Sequence, residues 1–300
     1  MLGSEVEEEG CTAVDVLQSA TGQRDPSDPE EHLPVVDDII ALVRDRTGVD
    51  FSVYRRTTVQ RRIGNRMISV GAASFDTYLA LLKADPLEAP RLLERLTIKV
   101  SRFYRNARSF DYLAQAVLPA LIRARSGKPL TLWSAGCGCG EEAYTLAMLL
   151  DQAGVEGEVR ATDIDPPSLA IAREGIYRRE ALDELPPILR ETYLSEQGDQ
   201  FEVRQALRRR VHFSFHDLTG TVPPPASTPF DLVSCRNVLI YLRQDAQRMV
   251  FETLIGAIAP QGYLYIGEAE WPLPDMVARL KPMAHRTQIF HLQPNAEASQ

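Results

Sequence analysis

The sequence has no apolar run long enough to span a bilayer, and it opens without the basic and apolar segments of a secretory signal. Cysteine is scarce: Cys11, Cys137, Cys139 and Cys235 are too few for a disulfide framework in 300 residues. No further Cys or His lies close enough to Cys137 and Cys139 to complete a zinc-binding spacing. We therefore expect a soluble, cytoplasmic protein with no metal site and no membrane insertion.

An excess of basic residues is also absent. The formal net charge is -8, and residues 1–33 hold nine acidic side chains and one basic one, Arg24. The rest of the chain therefore carries 32 basic and 32 acidic residues. Because binding to nucleic acid phosphates needs a basic excess, we expect no nucleic acid partner. The segment 1–33, rich in Glu, Asp, Ser and Pro, is predicted to be a disordered acidic tail.

Two kinds of hydrophobic pattern follow the tail. Residues 34–125 show helical periodicity and predict a small N-terminal all-α domain with a linker. From 126 to 294, five short β-type runs alternate with helical patterns, which predicts an α/β, Rossmann-like domain with a parallel sheet. These runs are "LTLWSAG", "VRATDID", "VHFSFHD", "FDLVSCR" and "GYLYIGE". Residues 176–210 interrupt the alternation, and we expect a small inserted antiparallel β-subdomain there.

The first of the runs leads into a glycine-rich turn, "SAGCGCGEEAY", that precedes a helical pattern. Glycines let a backbone approach a ligand, and a helix N-terminus offers free N–H groups. Glu141 and Glu142 would repel a pyrophosphate at this position, so a ligand with positive charge and no phosphate is favoured. S-adenosylmethionine has these properties. The alternative is that the two glutamates only stabilise the helix N-terminus.

Polar residues stand at the ends of two further β-type runs. Asp163 and Asp165 follow the second run at the place where adenosine-binding α/β folds put a carboxylate on the ribose, although either residue could instead cap the next helix. In "FDLVSCRNVLIYL", Arg236 and Asn237 end a strand, and Tyr241 follows on what should be one helical turn. A surface salt bridge is the alternative for Arg236.

An arginine-rich segment, "VSRFYRNARSF", stands just before the α/β domain. Ser101 and Arg105 would share one face if this segment were helical. Arg102 and Arg108 belong to the same cluster. A cluster of this kind is otherwise typical of solvated surface charge.

These motifs together resemble the chemotaxis receptor methyltransferases, the CheR family of S-adenosylmethionine-dependent protein-glutamate methyltransferases. The resemblance covers roughly residues 35–292, and its motifs keep one order throughout. They are "TVQRRIGNRM", "VSRFYRN", "WSAGCGCGEEAY", "ATDIDPPSLAIAREGIY", "FDLVSCRNVLIYL" and "GYLYIGEAE".

The resemblance implies methylation of glutamate side chains on the cytoplasmic helices of methyl-accepting chemoreceptors or related chemosensory proteins, with S-adenosylhomocysteine as product and no metal. The implied catalytic residues are Arg105 and Tyr241. The implied cofactor-binding residues are Lys99, Ser101, Arg105, Gly136, Glu142, Asp163, Asp217, Leu218, Arg236 and Asn237. Glu142 would meet the methionyl ammonium group and Asp163 the ribose. The helix with Arg61, Arg62 and Arg66 would bind the substrate protein.

The sequence departs from the family pattern at several points. Lys99 and Asp217 both stand where many members have Asn, and the basic helix carries fewer arginines than many receptor-reading members. The loop "SEQGDQ" at 195–200 is shorter than in members that bind a receptor's C-terminal peptide, so we expect a form independent of that tether. Two alternatives remain: a methyltransferase for small molecules or other proteins, and a non-catalytic module that binds S-adenosylmethionine or S-adenosylhomocysteine.

Overall fold

The computed structural model describes residues 34–97, 101–226 and 228–293. The predicted acidic tail at 1–33 lies outside the described residues. Across the described ranges, no helix combines the length and the apolar character that crossing a membrane requires.

The N-terminal part is a bundle of four helices. They are α1 (Pro34–Thr47), α2 (Arg56–Ser69), α3 (Phe75–Ala84) and α4 (Glu88–Leu96). The first of them buries Val36, Ile39, Ile40 and Val43, which share one face at helical spacing. Helix α3 begins at a capping box, in which the side chains of Ser74 and Thr77 each accept the other residue's backbone N–H. The predicted all-α domain is confirmed.

A buried polar contact holds three of these helices together. The Arg66 guanidinium on α2 donates two hydrogen bonds of 2.7 Å to the carboxylate of Glu88 on α4. The Tyr78 hydroxyl on α3 donates to the same carboxylate at 2.9 Å. Glu88 is only 2% exposed, and Arg91 adds a third neighbour 3.8 Å from its carboxylate, so its buried charge is stabilised by these partners.

A long helical element leads from the bundle into the main sheet. It consists of α5 (Ala107–Tyr112), a π-helical turn (Leu113–Val117) and α6 (Leu118–Ala124). The sheet has seven strands, namely β1 (Leu130–Ala135), β2 (Gly157–Asp163), β6 (Val211–Phe215), β7 (Phe230–Cys235), β8 (Ile258–Ile266), β9 (Leu280–Pro282) and β10 (Ile289–Leu292). Their order across the sheet is β6-β2-β1-β7-β8-β10-β9.

The five strands predicted from the sequence are the parallel ones, β6, β2, β1, β7 and β8. The sequence analysis did not predict β9 and β10, which extend the sheet with antiparallel pairing at one edge. Helices α7 (Glu141–Gln152), α8 (Pro166–Glu174) and α11 (Gln244–Gly256) connect the parallel strands. Neighbouring residues of β1, Leu132 and Trp133, enter two different buried clusters, as expected for a sheet covered on both faces.

The insertion forms a separate three-stranded antiparallel sheet in the order β3-β5-β4. Its strands are β3 (Ile176–Arg178), β4 (Leu194–Gln197) and β5 (Gln200–Val203), and its helices are α9 (Pro187–Tyr193) and α10 (Gln205–Arg208). Strands β4 and β5 are joined by a tight turn at Gly198, whose φ is +66°. The predicted fold class, including the antiparallel insertion, is therefore confirmed.

A backbone bridge fastens the helical domain to the loop after β7. The Arg55 N–H donates to the Tyr241 carbonyl at 2.8 Å, and the Arg243 N–H donates to the Val53 carbonyl at 2.9 Å. Between these bonds, Tyr54 and Leu242 form an antiparallel β-bridge. We call this pairing of 53–55 with 241–243 the interdomain bridge.

Candidate active site

A cavity of about 380 Å³ lies at the carboxyl ends of β1, β2, β6 and β7. This is the edge where open α/β sheets bind their ligands. On its other side, Phe51, Tyr54, Thr58 and Arg62 of the helical domain line the cavity. The sequence-predicted residues that line it are Ser101, Arg105, Gly136, Glu142, Asp163, Asp217, Leu218, Arg236, Asn237 and Tyr241. Lys99 lies outside the described residues.

The glycine-rich turn rests on the end of β2. The N–H groups of Gly136 and Cys137 donate to the Thr162 carbonyl at 2.8 and 2.9 Å. Gly136 has a φ of +76°, and a Cβ there would lie 2.5 Å from Cγ2 of Val238. Glycine is therefore required at 136 both for the left-handed backbone and for the close approach to the loop after β7.

Asp163 and Asp165 have different surroundings. The Asp163 carboxylate lines the cavity and accepts the N–H groups of Gly138 at 2.7 Å and Asp165 at 2.9 Å. Burial raises the pKa of Asp163, although these backbone donors act in the opposite direction. Asp165 instead accepts the Ser168 N–H at 3.0 Å and caps α8. Only Asp163 is placed to meet a ligand.

Glu142 and Arg236 form an ion pair at the floor of the cavity. Nη1 of Arg236 lies 3.2 Å from Oε2 of Glu142, and Ser134 donates to Oε1 of Glu142 at 2.7 Å. The Arg236 side chain is only 4% exposed, so a surface salt bridge is the wrong interpretation for this residue. Glu141, the neighbouring carboxylate, is also buried, which raises its pKa, while a hydrogen bond from Ser101 lowers it.

Arg236 also fixes the arginine-rich segment. Its Nη2 donates to the Arg105 carbonyl at 2.9 Å and to Oδ1 of Asn106. The Tyr265 ring lies 4.5 Å from the guanidinium carbon and supports it from one side. The segment 101–105 is not helical, because Tyr104 and Asn106 have positive φ and α5 begins only at Ala107, so the condition for Ser101 and Arg105 to share a helix face is not met.

The Tyr241 turn is held by a carboxylate that the sequence analysis did not single out. Asn237 has a φ of +59° and Leu239–Tyr241 form a 3-10 turn, so the expected regular helical turn is wrong. Glu270 accepts five backbone N–H groups, those of Gly267, Leu239, Val238, Asn237 and Ile240, at 2.6, 2.8, 2.9, 3.0 and 3.4 Å respectively. Its only sequence signal was membership of the "GYLYIGEAE" motif.

The three arginines expected to bind substrate have different positions. Arg62 lines the cavity, where its Nη1 donates to the Leu96 carbonyl at 2.7 Å and its guanidinium lies 5.8 Å from the Tyr241 ring. Arg61 is exposed on the outside of α2. Arg66 points away to its buried partner Glu88. The structure therefore brings only Arg62 to the catalytic candidates.

His216 is a further cavity residue that the sequence analysis missed. It is 5% exposed, and its Nε2 has no hydrogen-bond partner among the described residues. Its ring meets the edge of Trp133 at 5.8 Å between centroids. Burial lowers the pKa of His216, although Asp217 next to it has the opposite effect. The Asp217 carboxylate accepts the N–H and hydroxyl of Thr219 at 2.8 and 2.7 Å and so shapes the turn after β6.

The polar groups that line the cavity fit S-adenosylmethionine. The carboxylates of Glu142 and Asp163 suit an ammonium group and ribose hydroxyls, while the glycine turn leaves room that side chains would fill. The buried Nε2 of His216 offers a further polar contact. In the part of the chain that the structure describes, no three His, Cys, Asp or Glu side chains are grouped to hold a metal ion.

Comparison with known proteins agrees with this geometry. A family model described as "CheR methyltransferase, SAM binding domain" matches residues 99–288, and one described as "CheR methyltransferase, all-alpha domain" matches residues 36–97. The chain is 32% identical to a chemotaxis protein methyltransferase of Listeria monocytogenes over 231 residues, which cover 76% of this chain and 87% of that protein.

Two other relatives are longer proteins. An uncharacterized 104.1 kDa protein of Rhodobacter capsulatus is 36% identical over 265 residues, which cover 86% of this chain but 27% of that protein. The probable biofilm formation methyltransferase WspC of Pseudomonas putida is 32% identical over 235 residues, covering 77% of this chain and 55% of that protein. Because the two family models together match residues 36–97 and 99–288, the chain belongs to the CheR methyltransferase family.

Proposed function

We propose that the protein transfers a methyl group from S-adenosylmethionine to glutamate carboxylates on the cytoplasmic helices of chemoreceptors or chemosensory-like proteins. The observation that carries this proposal is the convergence of Arg105 and Tyr241 on one cavity with Glu142 and Asp163. The names of the Listeria and Pseudomonas relatives, a chemotaxis and a biofilm formation methyltransferase, support it.

The cofactor would lie across the carboxyl ends of the strands. Glu142 would hold the methionyl ammonium group, and Asp163 would accept hydrogen bonds from the ribose. Asp217 and Leu218 border the cavity beyond Asp163. When bound, S-adenosylmethionine supplies a methyl group on a positively charged sulfur.

The chain's own residues would prepare the acceptor carboxylate. A glutamate is already ionised at neutral pH, so no general base is needed. Arg105 would orient the incoming carboxylate, while Tyr241, beside Arg62, would line the methyl path and donate a hydrogen bond. The rate enhancement would come from aligning the glutamate carboxylate with the methyl group and from excluding water around the negative carboxylate and the positive sulfur.

Methyl-labelled S-adenosylmethionine tests the reaction. The purified protein is incubated with the label and an extract of its own cells, and the labelled proteins are then treated with mild alkali. Label that leaves as volatile methanol identifies a carboxyl methyl ester, as expected. Alkali-stable label, label on a small metabolite, or cofactor binding without any transfer would each contradict the proposal.

Two substitutions test the assigned roles. Arg105→Ala removes a charged contact to the acceptor and should lower methyl transfer by about 100-fold. Tyr241→Phe removes one neutral hydrogen bond and should cost about tenfold or less. Arg108→Ala is the matched control, since Arg108 is exposed and does not line the cavity. Normal turnover in Arg105→Ala would refute the assignment of this residue.

We also propose that the enzyme works without a tethering peptide, because the β4–β5 turn of the inserted sheet is tight. Calorimetry with the C-terminal pentapeptide of a chemoreceptor should detect no binding. Tight binding would contradict this part of the proposal.

A further inference from the structure

We propose that Tyr54 of the helical domain completes the cofactor site by contacting the adenosine half of S-adenosylmethionine, and so helps to select a purine nucleoside. This inference rests on the proposed function, because it takes the cavity to be the cofactor site. It assigns a binding role to the segment before the basic helix α2.

The backbone of Tyr54 is held on both sides. It forms the central pair of the interdomain bridge with Leu242, and its own N–H donates to the Phe51 carbonyl at 3.1 Å. Its ring lies against the Phe51 ring with centroids 4.9 Å apart, and both side chains line the cavity. The tyrosine is therefore a fixed part of the cavity wall.

Tyr54 is half-buried and lines the cavity, and none of the described residues forms a hydrogen bond with its hydroxyl. Burial raises the pKa of Tyr54 above its usual range, and the carboxylates of Asp217 and Asp163 raise it further. A tyrosine ring with a hydroxyl at its tip can pack against a ligand and also form a hydrogen bond with it. Because Tyr54 lines the cavity and its hydroxyl is not used within the protein, this hydroxyl is available to a ligand bound there.

Tyr54 lines the same cavity as Asp163 and Asp217. Asp163 ends β2 and Asp217 follows β6, at the side of the cavity where the adenosine would lie. The unpartnered Nε2 of His216 belongs to the same side. Glu142 and Arg236, which would serve the methionyl end, follow β1 and β7 instead. Ribose hydroxyls and purine nitrogens both match a phenol hydroxyl in hydrogen bonding.

Calorimetry with two ligands tests this inference. S-adenosylhomocysteine carries both halves of the cofactor, whereas 5′-methylthioadenosine carries only the adenosine half. Tyr54→Phe should bind both ligands about tenfold more weakly than the wild type, since one hydrogen bond is lost in each case. Tyr54→Leu, which also removes the ring, should bind both ligands more weakly still.

Matched variants separate this role from a general effect on folding. Tyr112→Phe removes a hydroxyl from a half-buried tyrosine that does not line the cavity, and it should bind both ligands as the wild type does. Glu142→Gln should weaken only S-adenosylhomocysteine. The ligand-free thermal transition of Tyr54→Phe should match that of the wild type.

Two results would overturn the inference. One is unchanged affinity of Tyr54→Phe for S-adenosylhomocysteine. The other is weaker binding of S-adenosylhomocysteine with unchanged binding of 5′-methylthioadenosine, which would move the hydroxyl to the methionyl end. The methyl-ester assay is read separately: cofactor binding without ester formation would refute the proposed function and leave the Tyr54 result standing.

Discussion

At the scale of single residues, Arg236 forms hydrogen bonds with several partners that its position in the sequence does not predict. That it ends a strand at the ligand edge could be predicted from the β-type run before it. Its partners could not, because Glu142 and Arg105 lie 94 and 131 positions away in the chain. Only the folded arrangement shows that this arginine supports the backbone of a catalytic candidate.

Arg236→Lys tests this supporting role. The planar guanidinium of Arg236 donates to Glu142, the Arg105 carbonyl and Asn106 at the same time. The single ammonium group of a lysine cannot reach all three, so at least one buried acceptor would lose its donor. We expect the free energy of unfolding to fall by about 2 kcal/mol or more, measured by denaturant titration. Arg178→Lys, at an exposed arginine, should change it by less than about 0.5 kcal/mol. Equal effects of the two substitutions would contradict the role.

His216 predicts a pH dependence of stability. Burial lowers its pKa below the ordinary value of 6.5, so the unfolded chain binds this proton first as the pH falls. The contribution of neutral His216 to the free energy of unfolding is therefore fully present above about pH 6.5, and it decreases as the pH falls toward the lower pKa of the folded state. His216→Gln should lose less stability than the wild type between about pH 7 and about pH 5.

The measurement is denaturant unfolding at several pH values. His285→Gln is the control, because this histidine is exposed and should leave the pH dependence unchanged. Parallel profiles for the wild type and His216→Gln would show that burial does not perturb this group.

At the scale of elements, periodicity predicted the main strands and helices but not every segment. The five parallel strands have five to nine residues and follow one another in alternation with helical patterns, whereas β9 and β10 have three and four residues and β9 ends in Pro282. Such short segments lack a readable period, and neighbouring strands decide their pairing. The turn conformations could not be predicted either, because the left-handed backbone of Tyr104 and Asn237 depends on contacts with residues distant in the sequence.

Glu270→Gln tests how the Tyr241 turn is held. Glutamine keeps the size of the side chain but turns an NH₂ group toward backbone donors that need an acceptor. We expect the free energy of unfolding to fall by about 2 kcal/mol. Methyl transfer should also fall, because Asn237 and Tyr241 lose their fixed backbone.

Glu268→Gln provides the comparison within the same loop, since Glu268 is exposed and should leave both quantities unchanged. Steady-state kinetics would distinguish the two. A Glu270→Gln variant with normal turnover would show that the turn is held without this carboxylate.

At the scale of the whole molecule, one cavity is built by two domains. Composition and pattern predicted both domains, and the strand-end rule predicted the edge of the sheet at which the cavity lies. The closure of the cavity by Phe51, Tyr54 and Arg62 could not be predicted, because it depends on a backbone pairing between segments about 190 residues apart.

Arg243→Pro tests the interdomain bridge. Proline fits at this position because Arg243 has a φ of -68° and the preceding residue, Leu242, has an extended backbone. The substitution removes the Arg243 side chain and the N–H that donates to the Val53 carbonyl. Arg243→Ala removes the side chain alone and is the control. We expect faster amide hydrogen exchange at Arg55 and lower methyl transfer in the proline variant than in the alanine variant. Identical exchange in both would show that this bond does not hold the domains together.

The interdomain bridge also sets where this protein can be recombined. An engineer who replaces the helical domain with that of a relative, in order to redirect the enzyme to another acceptor, would naturally cut before β1. That cut would also exchange Tyr54 and the strand that pairs with the Tyr241 turn. A chimera that exchanges only α2 to α4 and keeps residues 51–55 and the segment from Ser101 onward preserves the bridge, and should change the choice of acceptor without loss of the cofactor.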